Sequence, residues 1–141
     1  MSIPAVLAPV FVQVALTFVL LLAMGRSRLA ALRSKEVKVR DIALGERNWP
    51  PRVTQIANTY HNQFELPVLF YAVVALALIT RQAGLVFVVL AWLYVLTRLV
   101  HAYIYTTSNA ILWRFRVFLV GAMILLAIWI LLAVQIYLPG S

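Results

Sequence analysis

The sequence predicts an all-α integral membrane protein, a four-helix bundle forming one domain, on three observations. Hydrophobic residues make up 65% of the 141 residues and charged residues only 11%, more apolar surface than a soluble domain of this length can bury. The apolar residues gather in four stretches, each near the roughly 20 residues a helix needs to cross a bilayer. Seven of the twelve basic residues behind the net charge of +8 gather in one polar segment between the first two stretches, as expected of a cytoplasmic loop in contact with anionic lipid.

The first span is expected over residues 3–24, with Pro4 and Pro9 in its early turns, where proline is best tolerated, and Gly25 ending it. The opening MSIPAVLAPV has no basic leader and no small-residue cleavage site of the usual form, so this stretch is expected to remain as a helix. Residues 25–51 form the main loop. It carries Arg26, Arg28, Arg33, Lys35, Lys38, Arg40 and Arg47 against Glu36, Asp41 and Glu46. Pro50 and Pro51 interrupt the chain, and Pro51 suits a first helical turn.

The second span, residues 52–80, begins polar and turns apolar only after Glu65. Its first half is too polar for lipid, so it projects from the bilayer or lines a cleft. Pro67 predicts a kink just past Glu65. The link Arg81-Gln82-Ala83-Gly84 is short, which makes the second and third spans antiparallel neighbours. The third span covers residues 85–105. The fourth covers residues 113–138, opens with Arg114 and Arg116, and is closed by Pro139 and Gly140.

Eight basic residues follow the first span, counting Arg52, and two more begin the fourth on the same side; Arg81 stands alone opposite. Both termini are therefore expected outside and the basic loop in the cytoplasm. The polar half of the second span, the end of the third and Arg114 then meet at one membrane face.

Two stripes occupy that face. Gln55, Asn58, Asn62 and Glu65 recur at offsets of three and four, as do Arg98, His101 and Tyr105, with Tyr94 one turn earlier. The second stripe from Arg98 onward is about 10 Å long. Arg98 and Glu65 are the deepest charges, and they predict an intramembrane ion pair between the second and third spans. The same groups suit the charged ends of a ligand, and the two roles are compatible.

Several classes of chemistry fall away. No cysteine is present, which removes thiolate nucleophiles and cysteine metal sites. No glycine-rich nucleotide loop, serine triad or zinc motif occurs, and no basic-aromatic module for nucleic acid lies outside the spans. His61, Glu65 and His101 have the residue types of a two-histidine, one-carboxylate site, but their spacing is loose and no metal is expected. Trp49, Tyr103, Trp113 and Tyr137 are assigned to the interfacial aromatic belt.

Asn62-Gln63-Phe64-Glu65 with Pro67 following resembles the second-helix Asn-x-x-Glu segment of the MAPEG family, membrane-associated proteins of eicosanoid and glutathione metabolism. Arg98-Leu99-Val100-His101 with Tyr105, then Arg114, is similar to that family's third-helix Arg-x-x-His-x-x-x-Tyr stripe and fourth-helix arginine. The match in span arrangement covers nearly the whole chain. The resemblance implies a homotrimer with cytoplasmic-side sites between subunits that bind glutathione in a bent form. It also implies glutathione-dependent transferase or peroxidase activity on a lipophilic electrophile arriving from the membrane lipids. Asn62, Glu65, His101, Tyr105 and Arg114 would contact glutathione, with Arg98 at the base of the stripe, Arg26 as a candidate from the first span, and His61 in the place of a basic residue. Arg114 would stabilise the thiolate. Gln55 and Asn58 stand where the family is rich in arginine, and Phe118 stands where several active members have tyrosine. Those departures keep open an alternative: a non-catalytic accessory subunit, or a lipid-binding protein, that retains the fold.

Overall fold

Proline and left-handed caps, more than glycine, set the helix ends. The computed structural model describes residues 1–45, 47–138 and 140. Glu46, expected among the loop acids, and Pro139, expected to close the last span, lie outside the described residues. Helix accounts for 80% of the chain, with no strand among the described residues, and four helical segments are long and apolar enough to cross a membrane.

The first helix, α1 (Ile3–Arg33), starts behind Ser2, whose hydroxyl accepts the Ala5 N–H at 3.4 Å. It does not stop at Gly25. A lone glycine costs a helix about 1 kcal/mol, too little to break one of 31 residues. The stop comes at Ser34–Lys35, where Lys35 takes φ 60°. There the Glu36 N–H bonds the Ala31 carbonyl at 3.1 Å and the Lys35 N–H that of Leu32 at 3.2 Å, the paired closure of a Schellman cap. At 1.5 Å per residue α1 is about 46 Å long, against an apolar layer of about 30 Å. Its last turns, with Arg28 and Arg33, thus extend beyond the length that hydrocarbon can accommodate.

The expected loop is accordingly shorter and more ordered. It contains a single helical turn, α2 (Val39–Ile42), and folds back so that Val37 and Val53 bury against Ala31. Arg28 places its guanidinium 5.0 Å from the centre of the Trp49 ring. Trp49 is therefore partly buried under the loop.

The second span is two helices, α3 (Pro51–Asn62) and α4 (Leu66–Ile79). Pro67 has no N–H, and its ring would collide with the carbonyl of Gln63 in a continuous helix. The chain resolves the conflict by ending α3 and restarting with Pro67 in the first turn of α4. Across the gap, Gln63, Phe64 and Glu65 donate their N–H groups three residues back, to Tyr60, His61 and Asn62, at 3.0–3.3 Å. The expected kink is thus a complete break, and Gln55, Asn58, Asn62 and Glu65 do not share one continuous face.

The third and fourth spans are α5 (Leu85–Thr106) and α6 (Ile111–Tyr137). α5 packs on α1, α3 and α6. Gly121 lets α6 approach α5 closely: a Cβ there would lie 2.6 Å from Thr97 Oγ1. The core joins α4, α5 and α6 to the start of α1, with Phe70 and Tyr94 rings 4.8 Å apart at its centre. The outer surface is apolar, with Phe11, Phe18, Leu22, Leu85, Met123 and Ile130 all exposed. A monomeric soluble protein rarely carries such a surface; lipid covers it without penalty.

Candidate functional site

The break between α3 and α4 places polar groups inside an otherwise apolar bundle. Arg98, on α5, is 1% exposed. Its Nη2 donates to Asn62 Oδ1, and Asn62 Nδ2 donates to Glu65 Oε2 at 3.1 Å. The expected contact between Arg98 and Glu65 is therefore not a direct ion pair; among the described residues the only one is Arg40–Asp41. Asn62 stands between the two charges and satisfies each with the matching end of its amide. The physical reason is the break. Glu65 lies past the end of α3 and is exposed, while Asn62, in the last helical turn, faces the arginine.

One helical turn above Arg98, His101 is 2% exposed. Its ring lies 5.8 Å from Tyr105, edge-on, and 6.1 Å from Phe118 on α6. His101 Nδ1 is buried and has no hydrogen-bond partner. Arg114 comes from the first turn of α6. Its guanidinium lies 4.1 Å over the Tyr105 ring, and Nη1 donates to Asn109 Oδ1. Asn109, in the α5–α6 connection with φ 50°, was not among the expected site residues; only a structure reveals a partner that depends on a turn. Most of the five guanidinium N–H donors of Arg114 remain for other partners.

Asn62, His101, Tyr105 and Arg114 line one cleft of about 250 Å³ together with Ile111, Phe115 and Phe118. Three helices supply it, and one side is polar and basic while the other is apolar. Glu65 joins through Asn62, and Arg98 lies beneath. The remaining expected residues go elsewhere. His61 is exposed and lines a separate polar cleft of about 420 Å³ with Arg28, Arg47, Trp49, Thr54 and Asn58. Arg26 is exposed on α1 and lines neither cleft. Gln55 turns away from both and donates to the Tyr105 carbonyl, and to that of Thr107 at 3.3 Å, tying α3 to the end of α5. His61 and His101 thus belong to different clefts, and no group of three His, Asp or Glu that could hold a metal occurs among the described residues.

The cleft offers a guanidinium with donors to spare, a buried imidazole nitrogen without a partner and a tyrosine ring, with an exposed carboxylate tied to it through Asn62. The sequence model of the MAPEG family matches residues 6–134 of the chain. No curated protein and no solved structure matches it.

Proposed function

Because the chain belongs to the MAPEG family, we propose that it is a glutathione-dependent transferase or peroxidase acting on a lipophilic electrophile within the membrane. The observation that carries this reading is the cleft where Asn62, His101, Tyr105 and Arg114 meet beside an apolar wall. Glutathione, when bound, supplies the thiol that performs the nucleophilic chemistry.

The chain's own residues bind and orient. Glu65 is suited to an ammonium group, and the free donors of Arg114 to a carboxylate or a thiolate. A hundredfold rise in thiolate fraction requires about 2.7 kcal/mol of preferential stabilisation, within reach of one guanidinium in a partly dry cleft. Tyr105 holds Arg114 in place by stacking. Asn62 acts mainly as a link, since its amide already serves Arg98 and Glu65. Ile111, Phe115 and Phe118 supply the apolar side on which a lipophilic partner can lie. The cleft's volume in one chain is below the ~300–1,000 Å³ usual for small-molecule sites; a neighbouring copy in a homotrimer would complete it. The charge distribution supports an orientation with the basic loop, and so the cleft, on the cytoplasmic side.

The test is thermal unfolding in detergent. Millimolar glutathione at about 100-fold over its Kd adds about 2.7 kcal/mol and raises the midpoint, and Arg114→Ala removes both the shift and turnover. No shift in the unmodified protein overturns the proposal. A second reading, a fold-retaining accessory subunit without chemistry, draws on Phe118: it lines the cleft as a phenyl ring and offers no hydroxyl.

A further inference from the structure

Gln13 is a lone amide in the apolar stretch of α1, and it is fully buried. Its Nε2 donates to Gln63 Oε1 at 2.9 Å. Gln63, 1% exposed, sits in the gap between α3 and α4, and its own Nε2 donates to the Thr59 carbonyl at 3.0 Å. One side chain thus bonds α1 with one end of its amide and the last turn of α3 with the other. Its neighbour Asn62 bonds Arg98, lines the cleft and holds Glu65 with the other end of its amide.

We propose that the Gln13–Gln63 amide pair is a lock on the helix break, which fixes where α3 ends and so sets Asn62 and Glu65 for the ligand. Both glutamines are positioning residues; neither lines the cleft. Broken helices expose backbone carbonyls that an apolar surrounding cannot satisfy. The break also has no rigid ladder of its own, only short-range bonds: the three across the gap and that from the Val68 N–H to the Glu65 carbonyl at 3.2 Å. A buried amide bonded across helices supplies a directional restraint that apolar packing lacks, because the 2.9 Å bond from Gln13 Nε2 to Gln63 Oε1 holds only over a narrow range of rotation of α3 against α1, and breaking it would strand a second buried amide atom beside Gln13 Oε1, which has no partner. The ligand part of this inference rests on the glutathione reading; the lock itself does not.

Two variants and a rescue test it. A single Gln63→Leu leaves Gln13 unpaired and can misfold for that reason alone. The paired change Gln13→Leu with Gln63→Leu removes both polar groups and keeps apolar volume, which is nearly neutral for stability. In the purified protein, hydrogen exchange of the Phe64, Glu65 and Val68 amides is expected to rise about tenfold in the paired variant while the remainder of α4 is unchanged. Glutathione binding, followed by calorimetry, is expected to weaken about tenfold. Gln63→Glu keeps an oxygen that accepts from Gln13 and, as the carboxylic acid, an O–H that donates to the Thr59 carbonyl; at a pH low enough to protonate it, this variant is expected to restore both readouts.

Unchanged exchange in the paired variant overturns the lock. Faster exchange with undiminished glutathione affinity overturns its role in positioning the ligand. Failure of the unmodified protein to bind glutathione overturns the functional reading instead, and the exchange measurement still decides whether the lock exists.

Discussion

Arg98 shows how one buried charge organises its surroundings. A guanidinium 1% exposed between membrane helices is costly without partners, and Asn62 is the partner the fold provides. Arg98 Nε has none and stays buried. Arg98→Ala removes the side chain and strands Asn62 Oδ1, so a loss of about 2–4 kcal/mol is expected. Unfolding in a graded mixture of mild and denaturing detergent measures it. Stability within about 0.5 kcal/mol of the unmodified protein would mean that Asn62 finds water and that the link is dispensable. The Arg98, His101 and Tyr105 stripe was legible at this scale because offsets of three and four put residues of one helix on one face; the Gln55 to Glu65 stripe did not hold, because the chain breaks after Asn62. That Asn62 bridges Arg98 to Glu65 was not legible, because it depends on how α3 is rotated against α5.

At the scale of elements, one end and one contact carry predictions. Lys35 adopts φ 60° to close α1, a conformation costly for any side chain and free for glycine. Lys35→Gly is therefore expected to stabilise by about 0.5–1 kcal/mol, seen as a higher unfolding midpoint; a lower one would show that the lysine makes compensating contacts. Gly121 has no room for a methyl group, since its Cβ would meet Thr97 Oγ1 at 2.6 Å. That hydroxyl already donates to the Tyr94 carbonyl at 2.6 Å, and a β-branched side chain does not swing aside easily. Gly121→Ala should cost about 1–3 kcal/mol, and adding Thr97→Ala should recover most of it. Simple additivity of the two changes would show that the clash is relieved by backbone movement. Gly25 marks where composition misled: the apolar run ends there, but the helix continues on polar residues until a cap closes it.

For the whole molecule, the basic loop and the cleft are joined through α3. Arg52 donates to the Thr106 carbonyl and Gln55 to that of Tyr105, so the start of α3 and the end of α5 share the loop's end of the bundle. The proposed orientation puts that end in the cytoplasm. The chain has no cysteine, so single cysteines report topology cleanly. Ser34→Cys is expected to react with a membrane-impermeant maleimide only from the cytoplasmic side, and Gln82→Cys only from the opposite side. The reverse pattern would invert the orientation and put the cleft outside. The proposed trimer predicts three copies in native mass spectrometry, and a monomer retaining full glutathione affinity would show that one chain's cleft suffices.

The sequence by itself determined that the chain lives in a bilayer and crosses it four times. Apolar runs of that length have no other stable environment, and Pro67 marked where the second span could not run straight; that the kink is a full break came from the structure. It also determined which residue types crowd one membrane face, because helical period is a property of a single segment. The tertiary structure alone decided which of them meet. His61 and Arg26 left the cleft, Asn109 entered as the partner of Arg114, and Gln13 found Gln63 at a distance of fifty positions. Periodicity orients a side chain about its own axis; a contact between two helices depends on the rotation and offset of both, and those are set only when the bundle packs.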